Sequence, residues 1–199
     1  MNYLTTNDFL RASRLLKCDV PAIQAVAEVE SNEGGFNPDG SLIMLFEPHV
    51  FWKQLRKKGI KPELYLGRKE FKNILSPIWN PDLYPNTQEG RYKQLALAAT
   101  IHPEAAYESC SWGMFQILGR NATAIGYKSA RNMVEEFKNG VAEQLTGFIR
   151  YILAHFLGDE LRNHDWKAFA RGYNGSEYWK NKYDEKLNIA HQKFKLKTI

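Results

Sequence analysis

Val26-Ala27-Glu28-Val29-Glu30-Ser31 is the stretch from which the fold and the chemistry are read. In a helix, Ile23, Val26, Ala27 and Glu30 stand at i, i+3, i+4 and i+7 and share one apolar stripe. Glu28 falls on the other side, with Gln24 and Ser31. Burial disfavours the charged form of an acid, so a glutamate on that stripe keeps its proton to higher pH. The partial negative charge at a helix C-terminus pushes the same way. A carboxyl held protonated at the edge of a core is what a general acid requires. For an isolated glutamate the simpler reading is a helix-end side chain that reaches water; the rest of the chain shifts the balance.

Working outward, Thr5-Thr6-Asn7-Asp8 reads as a helix start, followed by Phe9, Leu10, Ala12, Leu15 and Leu16 at helical spacing. Asp19 is placed to cap the helix that carries Glu30, with Pro21 tolerated in its first turn. That helix ends before Asn32-Glu33-Gly34-Gly35. Phe36 to Glu47 reads as a turn at Pro38-Asp39-Gly40 followed by a short strand, a small β-hairpin and the only convincing β signal. Pro48 stops it and a helix follows over 49–58. Residues 59–90, rich in Pro, Asn, Gly and aromatics, read as irregular but packed through Tyr65, Phe71, Trp79 and Tyr84, with a short helix near 69–75. Helical patterns return over 91–101, 103–108, 129–138, 141–156, 166–173 and 178–194. The expected fold class is mainly α (α+β), with that one small hairpin.

Bulk properties bound the function. The 199 residues suit one domain, 1–199, able to bury a core without disulfide staples. No apolar run approaches the ~20 residues that span a bilayer. The first residues lack the basic-then-apolar pattern of a secretory leader, so the chain is expected to be made in a cytoplasm and to leave it by another route. Cys18 and Cys110 are too few for a disulfide framework and are expected to be reduced and buried. The net charge of +5 favours an acidic polymer as partner: nucleic acid, anionic lipid or an acidic cell wall.

Three further features carry chemistry. Glu47 closes the strand on the face of Ile43 and Leu45, where an acid needs a partner or a purpose. A helix-borne acid plus a second carboxylate is a workable layout for cutting a glycosidic bond. Asp39 competes with Glu47 for that second role, although Pro-Asp-Gly is also ordinary turn chemistry, and Arg or His49 is the structural partner that would make Glu47 a mere ion pair. Ser109-Cys110-Ser111-Trp112-Gly113-Met114-Phe115-Gln116-Ile117 sets a single amide, Gln116, among apolar neighbours, to face a sugar or pin a loop. Ala170-Arg171-Gly172-Tyr173-Asn174-Gly175 ends a helix with an aromatic ring and an amide, groups that hold sugar rings but also end helices unremarkably.

Taken in order, these pieces resemble the lysozyme-like superfamily, which includes goose-type lysozymes and lytic transglycosylases. The whole chain is most similar to the N-acetylmuramidase domain of bacteriophage endolysins, through Val26 to Ser31, Leu45 to His49, Ser109 to Ile117, Tyr173 to Gly175 and Tyr183 to Leu187. The resemblance implies a lysozyme-like fold and cleavage of the β-1,4 bond between N-acetylmuramic acid and N-acetylglucosamine in peptidoglycan, leading to host lysis. It implies Glu30 as general acid and a glycan cleft lined by Gln116, Tyr173 and Asn174. Ser31, Asp39, His49, Ser111 and Trp112 are added as candidate saccharide contacts. Glu47, or else Asp39, supplies the second carboxylate.

No cofactor or metal is expected: His49, His102, His155, His164 and His191 are scattered, with no zinc-site spacing. A monomer with the glycan strand as partner is expected, without a separate wall-binding module. The basic end (Lys180, Lys182, Lys186, Lys193, Lys195, Lys197) offers a weak contact with anionic lipid or wall polymer. The expected location is the host cytoplasm until a separate pore opens. Two rivals stand: a lytic transglycosylase of the same fold, which needs only Glu30, and a basic helical nucleic-acid-binding protein.

Overall fold

The computed structural model describes residues 3–30 and 34–197. Thr5 opens α1 (Thr6–Leu16) through a capping box, in which its hydroxyl accepts from the Asp8 N–H while the Asp8 carboxylate accepts from the Thr5 N–H at 2.8 Å. Asp19 caps α2 (Val20–Glu30), accepting from the Ala22 N–H at 3.0 Å. Ile23, Val26 and Ala27 are buried along this helix, as the stripe requires, and Glu30 is its last residue. Glu28 points away and pairs with Lys193 at 2.6 Å.

The chain continues through β1 (Met44–Phe46) and α3 (Pro48–Lys57). Between α3 and α4 (Gln88–Ile101), only short 3-10 turns form, at Pro62–Tyr65, Lys69–Phe71 and Pro81–Leu83. Phe71, Ile74 and Leu75 anchor this segment in the core, whereas Trp79 stays 62% exposed and is not the packing residue the sequence suggests. Next come α5 (Pro103–Glu108), β2 (Cys110–Trp112), β3 (Ile117–Leu118), α6 (Ala130–Phe137), α7 (Val141–Ala154), α8 (Gly158–Arg162), α9 (Trp166–Asn174) and α10 (Tyr183–Lys197).

The β structure is larger than expected and is paired differently. The turn at Pro38-Asp39-Gly40 closes on an isolated bridge between Phe36 and Leu42. The strand that follows pairs instead with β2, far along the chain, in the register Met44↔Trp112, Leu45↔Ser111, Phe46↔Cys110. β2 and β3 form the tight hairpin, giving an antiparallel sheet in the order β1-β2-β3. Alternation then sorts the side chains. Met44, Phe46, Cys110, Trp112 and Ile117 are buried in the core. Leu45, Ser111 and Leu118 share the opposite face.

A buried amide fixes the hairpin turn. Gln144 on α7 is fully buried; its Oε1 accepts from the Met114 N–H at 2.7 Å and its Nε2 donates to the Phe137 carbonyl at 3.2 Å. A Cβ on Gly113 would stand 2.7 Å from Gln144 Oε1, and one on Gly35 would stand 2.5 Å from it. Both glycines are therefore required by the close approach. Gly113 also adopts φ 69°, in the left-handed region that favours glycine. The two cysteines are free and buried, as expected.

Candidate active site

The C-terminal ends of α2 and α9 meet on one side of a cleft of about 830 Å³. The outer face of the sheet and the start of α3 form the other side. From the helical side, Glu30, Tyr173 and Asn174 line the cleft; from the sheet side, Glu47, His49, Ser111 and Gln116 do so. Glu30, Leu45 and Gln116 also line a neighbouring depression of about 230 Å³. Glu30 thus lies between two concavities.

Glu30 receives a hydrogen bond from Asn174 Nδ2 to its Oε1 at 3.0 Å. Burial raises its pKa above the ordinary glutamate value; the Asn174 bond and the charge of Lys186 offset only part of that rise. Tyr173 stands beside it, its hydroxyl donating to the Phe115 carbonyl at 2.9 Å and its ring stacked on Phe169 at 5.7 Å. The backbone of α9 is thereby tied to the hairpin, and Asn174 is held against the acid.

Glu47 immediately precedes α3, and its N–H donates to the Ser109 carbonyl at 2.9 Å. Its side chain returns to the cleft face of the sheet, where Ser111 Oγ donates to its Oε1 at 3.1 Å. Burial again raises the pKa, but here Ser111, Arg120 and Lys53 all pull it back. His49 Nε2 lies 3.7 Å from Glu47 Oε2. Burial, with Lys53 and Arg120, lowers the pKa of His49, so the imidazole is neutral at neutral pH and does not discharge Glu47 as an ion pair. Tyr84 Oη is 3.4 Å from His49 Nδ1 and steadies the ring. Chemically, the cleft offers a shielded carboxyl beside an amide on one side and a second carboxyl flanked by a hydroxyl and two cations on the other.

A family model described as N-acetylmuramidase matches residues 19–195. The chain belongs to the N-acetylmuramidase family. It is similar to the crystal structure of a Burkholderia AP3 phage endolysin, with 34% sequence identity and a TM-score of 0.89 over 100% of this chain and 73% of that one. None of the curated proteins matches it. The muramidase is a glycoside hydrolase acting on peptidoglycan, with a mainly helical α+β fold. The nucleic-acid-binding reading gives way to this one.

Two expected contacts of the muramidase are corrected. Trp112 does not line the cleft: it is one residue from Ser111 and therefore on the opposite face of β2, 2% exposed, stacked on Tyr107 at 5.5 Å and donating from Nε1 to the Tyr107 carbonyl at 3.1 Å. Asp39 does not line it either. It stays in the exposed turn, where Ser41 N–H and Oγ donate to its Oδ1 at 2.9 and 2.6 Å and hold its pKa low. Ser31 lies outside the described residues. Gln116 lines the cleft, and its Nε2 donates to the Gly113 carbonyl at 2.8 Å. Sequence reasoning missed Lys53, Trp79, Arg120, Tyr151 and Tyr183, which also line the cleft. Of these, Lys53 carried a usable signal, one helical turn beyond His49, and Tyr183 opens one of the stretches that carry the family resemblance.

Proposed function

We propose that this muramidase hydrolyses the β-1,4 bond between N-acetylmuramic acid and N-acetylglucosamine within a glycan strand, with Glu30 as proton donor. The observation that supports this most is the pairing of two carboxyl groups in one cleft, from different elements and in different surroundings. Glu30, shielded and next to a neutral amide, gives its proton to the leaving oxygen. Glu47, whose burial-raised pKa Ser111, Arg120 and Lys53 pull back, faces the developing oxocarbenium ion or the attacking water. The concavities on either side of Glu30 suit a bond inside a chain rather than at its end. His49 and Tyr84 position Glu47. Asn174 positions Glu30, Tyr173 positions Asn174, and Gln116 and Ser111 offer polar contacts to the sugars.

The second carboxylate favours hydrolysis over the transglycosylase reaction, which needs no group to activate water. Mass spectrometry of fragments released from purified wall tests this. Hydrolysis leaves a reducing end, whereas transglycosylation leaves an anhydro sugar lighter by one water; anhydro products would overturn the proposal, and so would wild-type product yield from folded Glu30→Gln.

In the cell the chain serves as an endolysin, acting as one catalytic domain and a monomer that waits in the host cytoplasm for a separate pore. No described helix is long and apolar enough to cross a membrane. Much of the basic end is already paired: Lys180 with Glu177, Lys182 with Glu185 at 3.3 Å and Lys193 with Glu28 at 2.6 Å. Of the other three, Lys186 lies over the Tyr183 ring and acts on Glu30, so contact with lipid or wall polymer rests on Lys195 and Lys197 in the last turn of α10.

A further inference from the structure

Three residues far apart in the chain meet at the end of α2 remote from Glu30. Asp19 precedes α2, His164 precedes α9 and His191 is on α10. One donor atom from each lies within 4.8 Å of the other two. His191 Nε2 is 2.9 Å from Asp19 Oδ2, and His164 Nε2 is 3.3 Å from Asp19 Oδ1. These are the mixed nitrogen and oxygen donors that suit Zn2+, and donors around a tetrahedral zinc at ~2.0–2.2 Å stand roughly 3.3 Å apart.

The surroundings hold the donors in place. Asp19 is oriented by the Ala22 N–H at 3.0 Å. The two imidazole rings lie 4.1 Å apart, and Trp166 packs against both, at 5.7 Å from His164 and 5.3 Å from His191. Outer contacts of this kind fix the direction of metal ligands. The cluster is open on one side: the His191 side chain is 3% exposed, whereas those of His164 and Asp19 are each 38% exposed. Solvent can thus supply the remaining ligand.

We propose that Asp19, His164 and His191 form a Zn2+ site, completed by water, that clips the starts of α2 and α9 to α10. In the metal-free protein each Nε2 carries the proton that Asp19 accepts. On binding, each imidazole gives its Nε2 lone pair to the ion, and the proton that Nε2 held passes to Nδ1 or to solvent. The site is structural. An 11-residue helix is about 16 Å long, which separates the ion from Glu30 at the other end of α2. Its effect on catalysis is indirect, since α2, α9 and α10 carry Glu30, Asn174 and Tyr183.

The test uses the full chain without a histidine tag, stripped with a chelator and titrated with Zn2+ near pH 7.5. One equivalent is expected by calorimetry, together with a thermal midpoint that rises with Zn2+. Co2+ in place of Zn2+ is expected to give the visible bands of a tetrahedral complex. His164→Gln and Asp19→Asn, which leave the buried His191 and the helix cap in place, are expected to weaken binding at least about tenfold. His49→Gln, in the cleft, is expected to leave it unchanged. Failure to bind stoichiometrically overturns the site, as does equal affinity in His164→Gln or loss of binding in His49→Gln. All of these readouts are independent of peptidoglycan cleavage.

Discussion

The helical and sheet sides of the cleft each present one glutamate whose ionisation burial opposes, yet they differ in what surrounds it. On the helical side, Glu30 has a neutral amide as its hydrogen-bond partner and one ammonium, Lys186, acting on it. On the sheet side, Glu47 has a donating hydroxyl and two cations, Arg120 and Lys53. Desolvation alone would make the two residues alike. The charges beside them differ, and on the proposed roles that difference is what would let one cleft hold an acid and a base at one pH.

Glu30→Gln tests the helical side with the largest effect. An amide has no acidic proton to give, so wall cleavage is expected to fall roughly 10²- to 10⁴-fold while the fold persists. Its thermal midpoint is expected to rise relative to wild type as pH is raised. The sign follows from linkage: a pKa raised by folding gives stability that is full below the unfolded value and is lost as pH rises through the folded one. The wild type loses that contribution as pH rises through the folded pKa of Glu30, whereas glutamine has nothing to lose, so the gap between the two grows with pH. A gap that does not widen with rising pH would break the comparison on the helical side.

Glu47→Gln is expected to cost about a hundredfold in turnover, with circular dichroism unchanged. If its melting collapses instead, Glu47 is a structural partner of Ser111 and His49 and the cleft has only one working carboxyl. The pH profile sharpens the contrast with smaller effects. On the proposed roles activity needs Glu30 protonated and Glu47 ionised, so a bell-shaped profile is expected. Asn174→Ala removes a bond that favours the Glu30 anion and is expected to move the alkaline limb to higher pH. Lys53→Ala removes a cation beside Glu47 and is expected to move the acid limb to higher pH. Each is expected to change the optimum rate only about threefold. Smallest of all, Glu28→Gln is expected to leave activity within about twofold, because it removes an exposed ion pair worth under ~1 kcal/mol. A loss there like that of Glu30→Gln would put the acid on the wrong face of α2.

The helical side was largely legible in the sequence; on the sheet side Glu47, His49, Ser111 and Gln116 were legible as residues, but the pairing that gathers them was not. The stripe of Ile23, Val26, Ala27 and Glu30 repeats with the helix period, so its inward face shows within a dozen residues. β2 and β3 are three and two residues long, too short for alternation to show, and the partner of β1 lies more than sixty residues away. Trp112 was therefore placed with Ser111 although the pleat sends the two in opposite directions. Arg120, Tyr151 and Tyr183 reach the cleft from elements that only tertiary packing assembles. The same holds at the far end of α2, where Asp19 is 145 residues from His164 and 172 from His191, and no spacing rule joins them.

Gln144, Gly113 and Gly35 form a lock whose parts come from three places in the chain. A methyl group on either glycine would collide with the amide, and a shorter residue at 144 would leave the Met114 N–H without its acceptor. As copies of this gene diverge, substitutions at these positions are expected to be tolerated only as compensated sets. The inward end of the hairpin should thus be among the slowest parts of the molecule to drift, although none of these three residues takes part in the proton transfer.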